Sequence, residues 1–311
     1  MKELKFLLFA DMHYWVGHYP QAIDKVEDVV KAAHENKVDC IISCGDLCHN
    51  APTSEPLQKA YIHNPYGIKT INCWGNHETE NADTLEGILE VFGQKNSYEY
   101  YDDYDGFRII ILDSNYFIDG SGTLRHDPPH SYGERNGDRF GPEQIAWFKE
   151  ALASTDRHCL VFSHASFETD AGSPDAAEMR AIVSEANRQC PGKVMLCANG
   201  HYHRNNIALT NNVVWFDVNA AINVEWQKED NAMFPEEFKN SARMTRNCCL
   251  TEDALYAIVT VTEDGRITID GKKSDYLYGA SPEKLGWAIP CNPFGRECCP
   301  YISSANLKLV F

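Results

Sequence analysis

Short β-branched and aliphatic runs alternate with longer amphipathic or polar stretches over the first two hundred residues, the pattern of strands joined by helices. The apolar runs fall at 4–10, 40–44, 68–73, 159–163 and 194–198. Between the first two, Ile23, Val26, Val29, Val30 and Ala33 recur at helical spacing and predict a helix over 21–35. A second helix is predicted over 142–153, with Pro142 in its first turn. Strands at 98–102 and 107–112, joined through Asp103-Tyr104-Asp105-Gly106, form a hairpin candidate. Strands at 256–261 and 266–269 form another across Thr262-Glu263-Asp264-Gly265.

Two stretches break the alternation and look like insertions: 113–141, rich in Gly, Pro, His and Arg, and 221–253, polar with scattered aromatics. The division expected from these patterns is a domain over 1–270 carrying both insertions, followed by an extension over 271–311 whose structure the pattern leaves open. Neither an internal repeat nor a low-complexity tract is visible.

With 43% hydrophobic and 23% charged residues the chain has the composition of a globular protein. Its 28 Lys and Arg stand against 45 Asp and Glu, a formal net charge of -17, which disfavours broad binding of nucleic acid or anionic membrane. The apolar run at 4–10 is shorter than a secretory core and leads straight into Asp11, so neither a signal peptide nor a membrane span is expected and the expected location is cytoplasmic. Most of the 12 cysteines lie inside apolar runs or as neighbours, without C-x-x-C pairs, and read as reduced, buried thiols. A small metal site around Cys291, Cys298 and Cys299 is the minor alternative, for which no fourth ligand stands out.

The chemistry sits at the ends of the apolar runs. The first leads into Asp11-Met12-His13, the second into Gly45-Asp46, the third through Trp74 into Gly75-Asn76-His77-Glu78. The fourth leads into His164 and the fifth through Asn199 into Gly200-His201-Tyr202-His203. In an open α/β sheet the carboxyl ends of the strands share one edge, so these clusters can converge in one crevice. Carboxylate, imidazole and one amide suit borderline divalent metals such as Mn, Fe, Co, Ni or Zn better than Ca. Singly, each residue has an ordinary reading: Asp46 as a helix cap, Asn76 as a turn residue, His164 as a satisfied buried histidine. The ordered set is what points to a metal site.

In that order the motifs resemble the full series of the calcineurin-like dinuclear metallophosphoesterases, across residues 11–203. The resemblance implies a four-layer α/β/β/α sandwich, here with loop insertions and a C-terminal extension, and two divalent metal ions, with Mn, Fe or Zn favoured. One ion would take Asp11, His13 and His203, the other Asn76, His164 and His201, with Asp46 bridging. A hydroxide shared by the ions would attack the phosphoester in line. Two divalent ions set against two aspartates and one hydroxide leave the pocket positive despite the acidic chain. His77, left without a metal, would act as a proton donor toward the leaving oxygen. Glu78 reads equally as a helix cap or as support for the ligands.

Asp46-Leu47-Cys48-His49-Asn50 lacks the Asp-Arg-Gly continuation of the serine/threonine protein phosphatases, and carries His49 where purple acid phosphatases have a tyrosine. The segment is similar to the Gly-Asp-x-Phe-His of the superfamily's nuclease branch, with Cys48 in place of Phe, making His49 a second catalytic candidate. The cyclic-nucleotide phosphodiesterase branch shares the main motifs without that histidine. The expected substrate is a small phosphorylated metabolite or nucleotide, as a phosphodiester or phosphomonoester. A nuclease acting on nucleic acid is the enzymatic rival, and a non-catalytic metal-binding scaffold on the same fold is the rival of another class. Tyr14, Trp15, His18 and Tyr202 near the rim are candidate substrate contacts, and Arg125, Arg135 and Arg139 could clamp a phosphate or a base.

Overall fold

In the first strand, β1 (Glu3–Phe9), Phe6 and Leu8 turn to one side and Leu7 and Phe9 to the other, and all four are fully buried. A strand apolar on both faces needs cover on both sides, and this dictates a layered molecule. The computed structural model describes residues 1–14, 22–49, 55–79, 85–126, 138–170, 172–242, 245–287 and 298–311. Trp15, His18, Arg135 and Cys291 lie outside the described residues.

After β1 come α1 (Ala22–Glu35), β2 (Cys40–Ser43), α2 (Glu55–Leu57), β3 (Lys69–Asn72), α3 (Asn76–Thr79), α4 (Leu85–Phe92), β4 (Glu99–Tyr104) and β5 (Phe107–Ile111). Next are β6 (Tyr116–Ile118), β7 (Leu124–His126), α5 (Pro142–Ala153), β8 (His158–Phe162), α6 (Ala176–Gln189), β9 (Val194–Asn199), β10 (Asn206–Thr210) and β11 (Val213–Asp217). The remainder holds β12 (Asn223–Trp226), α7 (Glu236–Ser241), β13 (Cys248–Leu250), β14 (Ala257–Thr262), β15 (Arg266–Gly271), α8 (Pro282–Leu285) and β16 (Ala305–Lys308).

Two six-stranded sheets result, ordered β16-β15-β14-β1-β2-β3 and β10-β11-β9-β8-β5-β4. Strands β1, β2 and β3 run parallel in the first, and β5, β8, β9 and β11 in the second, with antiparallel strands outside them. Between the sheets lie Phe6 and Leu8 of β1, Ile109 and Ile111 of β5, and Phe162 of β8. Phe6 meets Phe162 edge to face at 5.7 Å between ring centroids, and each such buried ring contributes roughly 1.5–3 kcal/mol.

Helix α1 covers the outer face of the first sheet with Val26, Val29, Val30 and Ala33 against Leu7, Phe9 and Ile41. Helices α5 and α6 cover the second, setting Ile145, Phe148, Met179 and Val183 against Ile110, Val161 and Val194. The order is therefore helix, sheet, sheet, helix.

The stretches read as insertions carry small elements of their own. Strands β6 and β7 pair as a hairpin within 113–141, and β12 and β13 pair within 221–253, with α7 between them in the chain. In the extension, β16 pairs antiparallel with β15, and Ile302 and Leu309 enter the core between the sheets. Every described cysteine is a free thiol. Burial pushes the Cys40 thiol up to about 12. Cys298 lies 3.6 Å from the Tyr276 hydroxyl, and Cys299 is placed to donate to the Tyr301 carbonyl at 3.5 Å. Among the described residues neither joins a metal-type cluster. No described helix is long and apolar enough to cross a membrane.

Candidate metal centre

Each ligand-type residue lies just beyond the C-terminal end of a parallel strand, and five of the seven take a backbone geometry that residues with side chains rarely adopt. Asp11 (φ 53°), His13 (φ 50°), Asp46 (φ 50°), His201 (φ 73°) and His203 (φ 51°) all sit in the left-handed region. For a residue with a side chain this costs on the order of 1–2 kcal/mol, a strain that marks functional sites. Backbone hydrogen bonds hold it in place: Asp11 N–H donates to the Gly45 carbonyl, His13 N–H to Asp46 and Tyr14 N–H to Leu47, each at 2.9 Å.

Two glycines make the approach possible. A Cβ on Gly75 would stand 2.0 Å from Asp46 Oδ1, and one on Gly200 would stand 2.6 Å from Asp11 Oδ2. The glycines of the Gly75-Asn76 and Gly200-His201 motifs thus leave room for the carboxylates of neighbouring loops.

The side chains gather in two adjoining groups. In the first, His13 Nε2 lies 2.9 Å from His203 Nε2, which lies 3.3 Å from Asp11 Oδ1. In the second, His164 Nε2 lies 3.1 Å from His201 Nδ1, 3.2 Å from Asp46 Oδ2 and 3.2 Å from Asn76 Oδ1. Within each of the triplets Asp11–His13–His203 and Asp46–His164–His201 the ligand atoms lie within 4.8 Å of one another.

Partners on the far side of the rings aim several of them. His164 Nδ1 faces the Cys44 carbonyl at 2.8 Å, where its N–H donates and leaves Nε2 as a lone pair turned inward. His201 Nε2 faces Asp138 Oδ2 at 3.2 Å, which leaves Nδ1 turned inward by the same logic. His203 Nδ1 is buried without a hydrogen-bond partner. Inward lone pairs converging beside carboxylates repel one another unless a proton or a cation lies between them, and the donor set therefore fits two borderline divalent ions.

Electrostatics show the same tension. Burial alone would raise the Asp46 carboxyl, but His164 and His77 beside it hold it well below the usual range. Burial opposes a charged His164, yet Asp46 overrides it and pushes the imidazole up to about 10. Burial, and then His203, hold His13 well below its ordinary value.

His77 and His49 sit at the half-buried mouth. His77 N–H donates to Asp46 Oδ1 at 2.9 Å, while its Nε2 lies 3.9 Å from Asp46 Oδ2. The His49 ring lies 3.8 Å from that of His77 between centroids, and His49 Nε2 stands 2.8 Å from His13 Nδ1. With His13, these two form a third imidazole cluster.

Glu78 has a clear structural part. Fully buried, it accepts from the backbone N–H groups of Asp46 (2.9 Å), Cys48 (3.0 Å) and Gly75 (2.7 Å), tying the loop after β2 to the loop after β3. Burial, with Asp46 nearby, pushes its carboxyl up to about 7.

The described residues expected to contact substrate have these places in the fold. Tyr14 is buried in the apolar cluster beneath α1. Tyr202 donates from its hydroxyl to the Gly172 carbonyl at 2.8 Å, with its ring 4.9 Å from that of His201. Arg125 is held by Asp119 at 2.8 Å and Arg139 by Asp175 at 2.7 Å.

Two residues beside the centre escaped the sequence reading. Asp138 comes from the first insertion, where no periodicity announces it. Trp226 closes β12 in the second insertion and packs edge-on against His203, with 5.5 Å between ring centroids. Its only sequence signal is an aromatic in a polar stretch.

Comparison with known proteins places this geometry. The profile of the calcineurin-like phosphoesterases matches residues 4–205. The serine/threonine-protein phosphatase CPPED1 of Danio rerio is 26% identical over an alignment of 201 residues that covers 60% of this chain and 58% of the relative. A dimetal phosphatase from Danio rerio superposes with a TM-score of 0.60 at 15% identity, over 87% of this chain and 96% of that one. GAP50, the anchor in the inner membrane complex of Plasmodium, superposes with a TM-score of 0.54 at 11% identity, over 100% of this chain and 90% of that one. At such identities the two structural likenesses speak to the fold alone.

Proposed function

Because the chain belongs to the calcineurin-like phosphoesterases, we propose that it hydrolyses a phosphodiester or phosphomonoester of a small metabolite or nucleotide with two divalent metal ions. The observation that carries this reading is the convergence of two ligand triplets, from four strand ends in two sheets, on one crevice. Asp11, His13 and His203 would hold one ion; Asn76, His164 and His201 would hold the other; Asp46 would lie between them. Such a pair supplies Lewis acidity toward the phosphoryl oxygens and lowers the pKa of a water at neutral pH.

The chain's own residues do the rest. Asp138 and the Cys44 carbonyl keep His201 and His164 turned inward. Glu78 holds two ligand loops together. His77, fixed by its backbone bond to Asp46 and open at the mouth, is positioned to give a proton to the leaving oxygen. His49 stands where it supports His13 and faces His77.

The net charge of -17 tells against a polynucleotide substrate, and Arg125 and Arg139 are already engaged by carboxylates. A scaffold role finds less support, since every ligand position of the series is filled. The relative named a serine/threonine-protein phosphatase makes a phosphoserine peptide worth assaying, although the Asp-Arg-Gly continuation is missing here.

The test is to strip the protein of metal, reload it with Mn, Zn, Co or Mg, and assay phosphate mono- and diesters alongside a phosphoserine peptide. Hydrolysis of small esters that Mn, Co or Zn restores better than Mg is the expected result. Full activity in excess strong chelator would refute it.

A further inference from the structure

Trp226 is 57% exposed, yet its position is fixed from behind by a relay that starts at a ligand. Arg204 donates from Nη1 to the His203 carbonyl at 2.8 Å and from Nη2 to Glu225 Oε2 at 2.7 Å. The other oxygen of Glu225 accepts the Trp226 backbone N–H at 3.1 Å. Arg204 and Glu225 are both buried, so this ion pair is costly to maintain, and it ties the backbone of Trp226 to that of His203. The backbone is pinned a second time where Trp226 pairs with Cys248 across β12 and β13.

The backbone that carries the indole is therefore fixed beside the first ligand triplet, and the ring makes one edge contact with His203 with most of its surface open to solvent. A large apolar ring held in water next to a phosphate-binding centre invites a flat partner, because stacking removes apolar area from both surfaces. The other end of the centre differs in kind. There the Asp138 carboxylate lies 3.2 Å from His201, and a second phosphate placed beside it would meet a negative charge.

Resting on the hydrolase reading above, we propose that Trp226 is the specificity residue on which the organic group of the substrate stacks. The preferred substrates are then aryl or nucleobase-bearing phosphate esters with a single phosphoryl group, oriented with the planar group toward His203 and away from Asp138.

Phosphonates separate this from leaving-group chemistry, since their carbon–phosphorus bond is not hydrolysed. Calorimetric titration of the Mn-loaded full chain should give a Kd for phenylphosphonate about tenfold below that for methylphosphonate. W226A should remove that gap, and W226F should keep most of it. Metal content measured on each variant separates loss of stacking from loss of the centre. Equal Kd values in the parent protein, binding of neither compound, or a gap that survives in W226A would overturn the proposal. If the gap is present and depends on Trp226 while no ester is hydrolysed, the hydrolase reading fails and the stacking site stands. Hydrolysis without the gap gives the reverse.

Discussion

At the scale of single residues, the proposed centre would separate groups that hold charge from a group that moves a proton. Asp46 lies within 3.2 Å of His164 and accepts the His77 backbone N–H, so it serves both ligand loops at once. Asp46→Asn should therefore lower metal content and remove activity on every substrate alike, read by elemental analysis and a parallel assay. His77→Ala should keep the metals yet slow esters of poor alkoxide leaving groups by about 10² to 10⁴, with a much smaller effect on a nitrophenyl phosphate. Equal losses on both esters at unchanged metal content would make His77 an electrostatic contact rather than an acid. Asp138 acts one step further out. Asp138→Ala should weaken metal binding by roughly 10- to 100-fold, while Asp138→Asn, which keeps an acceptor oxygen, should restore most of it. Competition against a chelating dye measures both, and equal affinity in Asp138→Ala and the parent protein would remove Asp138 from the ligand support.

Among the elements, what the sequence made legible and what it hid divide along a physical line. Strands β1, β2, β3, β8 and β9 lie within a residue or two of the apolar runs, because a strand in a covered sheet must be apolar along its length. The gathering of Asp11, His13, Asp46, His164, His201 and His203 was readable for the same reason, since each follows a strand end. Strands β6, β7, β12 and β13 have only three or four residues each, too few for a period to show. Asp138 was hidden because its role arises from a tertiary contact with His201 across two loops. The extension was opaque because β16 (Ala305–Lys308) is half-exposed, with Leu307 opposite Ile267 as a main apolar clue. Its pairing, and the burial of Ile302 and Leu309 between the sheets, join it to the core of the domain. A chain truncated after residue 270 should therefore expose the β15 edge and lose stability or solubility, whereas Val310→Ala, at an 81% exposed side chain, should stay near the parent. Urea unfolding of both would decide, and a truncated chain with an unchanged midpoint would mark the extension as a separate appendage.

For the molecule as a whole, the ligands impose a tension that metal should relieve. Asp11, His13, Asp46, His201 and His203 are held at positive φ, and imidazole nitrogens face one another at 2.9 Å and 3.1 Å. The facing nitrogens disfavour the native state unless a proton or a cation lies between them, a bound cation would offset part of the cost of the positive-φ turns, and the loops that carry these residues cap the parallel strands of both sheets. An ion that binds the folded chain and not the unfolded one stabilises it by RT ln(1 + [L]/Kd), about 2.7 kcal/mol at a hundred times Kd. For a domain of this size that corresponds to a rise in Tm of about 4 °C. Chelator should lower the Tm of the parent protein, and titrated Mn or Zn should raise it in proportion to the logarithm of concentration. In Asp46→Asn the same titration should have little effect, since the charge between the ligand triplets is gone. Scanning calorimetry of the two proteins across a metal series tests this without any substrate. A parent Tm indifferent to chelator and to added Mn, Zn, Co and Fe would mean that the gathered side chains do not form a metal centre.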